Sequence, residues 1–253
     1  MKEARMLLGT HAELAQPRSS RSRYTPPSEI QIAKLSDLLD YCGRPIGDGQ
    51  NDLFRKDGEA EPEIYLAGDA SLLLRPGVSV IGARDVSLDG VRRAGRIARE
   101  MAKAGIVVTS GLAKGVDTAA HNGALDVGGS TIAVIGTPLD KSYPIENADI
   151  QQEIWQHHLL VSQFKPGQRT FPSDFPKRNR LMAQLTDASI IVEASDTSGT
   201  LHQAAECTRL GRWLFIMKSV AENPKLSWPA KFLGLPKVAV LETPEDVIER
   251  VNR

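Results

Sequence analysis

The chain has 253 residues, 41% hydrophobic and 25% charged, the composition of a soluble folded protein long enough for one large α/β domain with a short appendage. Its 31 Lys and Arg balance 31 Asp and Glu, so any affinity for a polyanion must come from a local patch, not from overall charge. Two distant cysteines, Cys42 and Cys207, argue against a disulfide framework or a zinc site, no apolar run nears membrane-spanning length, and no export-signal pattern opens the sequence.

These features predict a reducing, cytoplasmic setting, with no metal or cofactor called for. Residues 1–27 mix Arg, Ser, Gln and Pro and read as a flexible basic arm. Ile30 to Leu39 is expected to form a short helix with Ile32, Leu35 and Leu39 on one side. Gly43 to Glu63 is turn-rich and acidic, a loop. The ordered domain is expected to begin near Ile64, giving an arm over 1–63 and a domain over 64–253.

From Val78 the pattern changes to short apolar runs alternating with amphipathic ones. VSVIG, IVVTSG, TIAVIG, LLVSQF, SIIVEA, WLFIMK and KVAVLE read as buried strands. Between them lie predicted helices; in the first, Val91, Ala94, Ile97 and Met101 share a face. The expected fold is α/β, a doubly wound, mostly parallel sheet with helices on both faces.

In such sheets ligands bind at the carboxyl ends of strands. Three strand-to-helix loops there suit an anion. Gly82-Ala83-Arg84 offers a sharp turn and a planar guanidinium. Ser110-Gly111-Leu112-Ala113-Lys114-Gly115 offers a hydroxyl, backbone N–H groups and a cation. Ser198-Gly199-Thr200 opens a further helix. None is a GxGxxG or Walker match, and each glycine alone is more often a turn. A fourth feature is the helix start at FPSDFPKRNR. Pro176 suits a first helical position with Asp174 as its cap, and Lys177, Arg178 and Arg180 then crowd the positive end of the helix dipole, a cost that a bound anion relieves. Lys165 and Arg169 extend this patch. Catalytic signatures are weak: His121 reads as a packed structural histidine, and Glu193, ending a strand, either meets a ligand or pairs with Arg178 or Arg180.

Four segments in fixed order, YLAGDASLLLRPGVSVIGAR, SGLAKGVDTAAHNGAL, GGSTIAVIGTPLDKSYPIEN and FPKRNRLMAQLTDASIIVEA…SGTL, resemble the DNA-processing protein A (DprA/Smf) family over Tyr65 to Met217. The resemblance implies a Rossmann-like domain that binds single-stranded DNA and hands it to a RecA-type recombinase in natural transformation, as a homodimer and without catalytic turnover. Carried over by position, it implies ligand contacts from Gly82, Arg84, Ser110, Gly111, Lys114, Gly115, Phe175, Lys177, Arg178, Asn179, Arg180, Glu193, Ser198, Gly199 and Thr200, with Phe175 or Phe171 stacking a base. Ala83 departs from the family's Ser, and KSVAENPKLSWPAKFLGLP after Met217 departs from its usual segment. A competing reading is a nucleotide sensor or a phosphoribohydrolase similar to the LOG family. In this chain the glycine pair of that family's motif is broken and its glutamate displaced to Glu206.

Overall fold

In the computed structural model, residues 24–45 and 61–252 are described, together with the backbone of His11–Glu13. Most of the expected arm over 1–27 and of the acidic loop over 43–63 lies outside the described residues.

The strands form one sheet, ordered β1-β2-β3-β7-β6-β5-β4-β8-β9-β10. They are β1 (His11–Glu13), β2 (Glu29–Lys34), β3 (Glu63–Gly68), β4 (Gly77–Gly82), β5 (Val107–Ser110), β6 (Thr131–Ile135), β7 (Leu159–Ser162), β8 (Ala188–Glu193), β9 (Trp213–Met217) and β10 (Val238–Leu241). From β7 through β10 every pairing is parallel, while β1, β2 and β3 add antiparallel edges. The expected doubly wound α/β fold is therefore present, carrying an antiparallel extension on one side.

That extension corrects one expectation. EIQIAK is strand β2, and only Leu35–Tyr41 forms a helix, α1. Ile30 and Ile32 alternate with Gln31 and Ala33 at the period of a strand, and pairing of Gln31 with Leu66 and of Ile32 with Tyr65 decides the outcome.

The remaining helices are α2 (Leu88–Lys103), α3 (Val116–Leu125), α4 (Ala148–His157), α5 (Asp174–Gln184), α6 (Thr200–Arg209), α7 (Lys218–Ala221), α8 (Pro229–Phe232) and α9 (Glu245–Val251). Because side chains alternate along a strand, Val78, Val80, Ile190 and Val192 meet α2, α3 and α9 through Ala94, Ile97, Met101, Val116, Ala120 and Val247. Ile81 and Ile191 point the other way, onto Leu181, Met182, Leu185 and Ala204 of the α5–α6 layer. Each fully buried aliphatic side chain contributes about 1.5–3 kcal/mol, so the two layers fix the sheet between them. A small polar cluster locates α6: Gln203 Nε2 donates to Ser79 Oγ of β4 at 2.7 Å and to Ser189 Oγ of β8 at 3.2 Å.

The chain winds from β4 through β7 toward one side and from β8 through β10 toward the other. The crevice outside the carboxyl ends of β4 and β8 is thus the topological switch point, where ligands bind in this fold class.

Candidate functional site

A cavity of about 230 Å³ opens at that switch point. Of the fifteen residues expected at the site, Gly82, Arg84, Phe175, Arg178, Asn179, Ser198, Gly199 and Thr200 line it. Arg84 is exposed; its guanidinium lies 4.8 Å from the centre of the Phe175 ring and makes no hydrogen bond to a described residue. Tyr143 packs against Phe175 as well, the ring centres 5.7 Å apart, and is half exposed. The result is an aromatic–cation stack at the cavity mouth, the kind of surface on which bases stack and phosphates rest. Sequence reasoning quoted the segment holding Tyr143 without singling that residue out. Its signal is an aromatic side chain in a strand-to-helix loop next to a proline.

Helix α5 begins two residues earlier than the sequence predicts. Asp174 is its first residue and Pro176 its third, still among the N–H positions that have no acceptor within a helix. Asp174 is buried, accepts the Phe171 N–H at 2.8 Å and pairs with Lys177 at 3.3 Å. The expected electrostatic cost of the basic helix start is therefore met partly from within.

Arg178 is the larger correction. Its side chain is 5% exposed and donates to the carbonyl oxygens of Gly111 and, at 2.9 Å, Val134, and to Asn179 Oδ1 at 2.9 Å. It ties α5 to the ends of β5 and β6 from beneath the cavity, and does not stand out as an exposed phosphate ligand. Gly111 is glycine for this reason, since a Cβ there would collide with the guanidinium. Asp117 approaches Arg178 to only 4.0 Å. Burial raises the Asp117 carboxyl, opposed by Arg178, and burial lowers Arg178, opposed by Asp117. Desolvation outweighs the mutual attraction for both, so this contact is a loose ion pair, and the guanidinium charge is only partly neutralised under the cavity.

Four other expected contacts are engaged elsewhere. Ser110 is fully buried and donates to Val80 O at 2.7 Å, inside the sheet. Gly115, with φ +82°, packs where a Cβ would stand 2.5 Å from Ala83 O, bracing the Arg84 loop. Glu193 meets neither Arg178 nor Arg180: it accepts the Ser87 N–H at 3.0 Å and hydroxyl at 2.7 Å and pairs with Arg93 at 3.3 Å, fixing the start of α2. Lys114 is exposed at the rim and pairs with Glu146 at 2.7 Å. Lys177 is exposed and Arg180 half-buried, both on α5. Asn179 donates to Gly199 O at 3.1 Å, joining α5 to the third loop, where Ser198 Oγ accepts the Thr200 N–H at 3.2 Å.

Phe171 is 48% exposed under the Arg169 guanidinium, 5.4 Å away, at a distance from the Phe175 stack that leaves Phe175 as the residue lining the cavity. Glu206, the displaced glutamate of the phosphoribohydrolase reading, is 5% exposed and held by Arg209 at 2.6 Å; it does not line the cavity. His121 is fully buried, its Nδ1 2.8 Å from Thr131 Oγ1. Among the described residues no cluster of His, Cys, Asp and Glu is arranged to hold a metal, and no helix is long and apolar enough to cross a membrane.

The model of the family described as DNA recombination-mediator protein A matches residues 52–252. DNA processing protein DprA of Streptococcus pneumoniae is 40% identical over 152 residues, which is 60% of this chain and 54% of that protein, so the chain spans about half of that relative's length. The X-ray structure of DNA processing protein A from Streptococcus pneumoniae superposes with a TM-score of 0.68 at 35% identity, covering 75% of this chain and 66% of that one. A structure of DNA processing protein A from Helicobacter pylori, described as giving insight into a single-stranded DNA binding mode, also reaches a TM-score of 0.68, at 25% identity over 95% of both chains. The chain belongs to the DNA recombination-mediator protein A family.

Proposed function

We propose that the protein binds single-stranded DNA across the carboxyl edge of its sheet. The observation that carries this reading is Arg84: an exposed guanidinium without a hydrogen-bonding partner among the described residues, stacked on Phe175 at the mouth of the switch-point cavity. A phosphate bridges Arg84 and the loop at Ser198, Gly199 and Thr200, while a base stacks beside Phe175 and Tyr143. Lys114 and Lys177 take flanking phosphates at the rim, and Arg178 contributes positive potential from below without touching the strand. The Helicobacter pylori relative, described by its single-stranded DNA binding mode, supports this choice of ligand. The family's description as a recombination mediator supports a role in recombination, and the proposal extends to delivery of the strand to a RecA-type recombinase during DNA uptake, by a cytoplasmic homodimer. The reading is one of binding without turnover, in keeping with Glu206 being locked to Arg209 away from the cavity.

Fluorescence anisotropy with an oligothymidine tests it. Binding weakens steeply with salt, since each phosphate contact releases counterion. Arg84→Ala lowers affinity roughly tenfold or more, on the scale of one lost charge-assisted contact. An absence of binding at low salt, or full affinity in Arg84→Ala, removes the proposal.

A further inference from the structure

A second cavity, of about 680 Å³, lies across Arg84 from the first and shares with it only Ala83, Arg84 and Ser198. Its far wall is built by the segment after Met217 that departs from the family pattern: Ser219 and Val220 of α7, then Asn223 and Leu226. That wall is anchored. Trp228 is fully buried and donates its Nε1–H to Ala194 O at 3.0 Å, and Asp196 accepts the Ser227 and Trp228 N–H groups at 3.0 and 2.8 Å.

The two cavities differ in charge. The smaller faces Arg84 and Arg178 against Asp117 alone, a net positive surface suited to phosphate. The larger faces Arg84 and Arg93 against Asp85 and Glu193, and so is balanced. Glu193 is already satisfied by Ser87 and Arg93, which leaves its charge spent on the protein. Beside these balanced charges the larger cavity offers a ligand neutral groups: hydroxyls on Ser195 and Ser219, an amide on Asn223, and apolar surface from Val220 and Leu226. Asn223 Oδ1 accepts the Lys225 N–H at 3.0 Å, so the side-chain donor is the group left to face the cavity. Its volume falls in the range of about 300–1,000 Å³ typical of small-molecule sites.

We propose that this larger cavity is a nucleoside site: it holds the base and sugar of one nucleotide of the bound strand, whose phosphate lies on Arg84. The inference rests on the single-stranded DNA reading and adds a base-dependent contact that phosphate clamping does not supply. A charge-balanced, partly apolar pocket beside a cationic one divides a nucleotide into its two chemical halves, and the Asn223 amide donates to an acceptor on the base edge.

The test compares oligothymidine with an abasic deoxyribose-phosphate strand of equal length. Two variants narrow the cavity: Ser219→Leu, at an exposed position with no hydrogen bond to a described residue, which also removes a hydroxyl from the lining, and Asn223→Leu, which also removes the amide. The expected result is a roughly tenfold loss of affinity for oligothymidine with either variant, the scale of one base contact, and unchanged affinity for the abasic strand. Wild-type affinity for both strands in both variants overturns the nucleoside site and leaves single-stranded DNA binding standing. So does an equal loss on both strands, which marks a general disturbance of the groove. If the unaltered protein binds neither strand, the functional reading itself is removed, and this inference with it.

Discussion

The two edges of the sheet each hold an arginine whose side chain is 5% exposed, and they use it in opposite ways. At the amino edge Arg44 meets Asp187 through both carboxylate oxygens, at 2.9 and 2.6 Å, and donates to Leu73 O at 2.6 Å and Arg75 O at 2.9 Å. Asp187 in turn accepts the Gly77 N–H that opens β4. Burial alone would lower Arg44, but Asp187 overrides it and the guanidinium is raised. At the carboxyl edge Arg178 has carbonyls for partners, and Asp117 stands 4.0 Å away. Burial lowers Arg178 there, and Asp117 does not reverse it. A full counterion makes a closed clasp, whereas carbonyl partners leave positive charge beneath an open cavity. The same residue type therefore closes the fold at one end and leaves positive charge under a cavity at the other.

The contrast is broken most severely at Arg44. Arg44→Ala strands the Asp187 carboxylate and two carbonyls, and is expected to cost about 3–5 kcal/mol in urea unfolding. A loss under about 1 kcal/mol, the scale of an exposed pair, would show that the clasp is not the closure described. The amino edge also carries His121. Thr131 Oγ1 donates to Val108 O at 2.7 Å, so His121 must donate to Thr131 through Nδ1, and its buried Nε2 has no partner among the described residues. Burial, reinforced by the charge of Arg178, pushes its pKa down to about 3. Below about 6.5 the unfolded chain takes up a proton that the folded one refuses, so this stabilisation is lost as pH falls toward 3. Between pH 6.5 and 5 the wild type should lose more stability than His121→Gln, by about 0.7 kcal/mol per unit at the upper end rising toward about 1.4 at the lower. Parallel pH profiles for the two proteins would mean that His121 titrates normally.

At the carboxyl edge, Arg84 and Arg178 separate by salt dependence. Removing a direct phosphate contact lowers the slope of log K against log salt by roughly 0.7 for a single strand. Arg84→Ala should weaken oligothymidine binding about tenfold and reduce that slope. Arg178→Met should also weaken binding and cost about 1–3 kcal/mol of stability through the orphaned carbonyls, yet leave the slope unchanged. Equal slope changes in the two variants would make Arg178 a phosphate ligand and erase the distinction between the edges.

The alternation of buried strands and amphipathic helices from Val78 onward was legible because both periodicities are written in apolar spacing. The switch-point loops followed from it. What the sequence concealed is direction. FPKRNR shows three cations at a helix start, but Lys177 turns to Asp174 and Arg178 turns inward, a choice made by Gly111 across the sheet. Ser110 and Glu193 read as ligand groups at strand ends and are consumed by Val80 O and by Ser87 with Arg93. The strand over Glu29–Lys34 is hidden in the sequence because its partner, β3, lies about thirty residues further along the chain, and helical spacing of Ile32, Leu35 and Leu39 is the stronger local signal.

The gentlest way to sharpen the comparison is at the rim. Lys114 and Glu146 pair at 2.7 Å with side chains 60% and 59% exposed, and the Lys114 hydrogen bond holds the Glu146 carboxyl below its usual range. An exposed pair of this kind contributes little to folding. It does set Lys114 against an anion of the protein's own, so an incoming phosphate must compete with Glu146. Glu146→Gln keeps the shape and removes the competitor. Affinity for oligothymidine should rise by roughly two- to fivefold at low salt, and the gain should fade as ionic strength shortens the screening length to about 8 Å at 0.15 M. Thermal stability should not change. Lys114→Gln should lower affinity by a similar factor, and the double variant should match Lys114→Gln alone, because Glu146 acts on the strand through Lys114. An added gain from Glu146→Gln in the double variant would instead make Glu146 an independent repulsive charge along the strand's path.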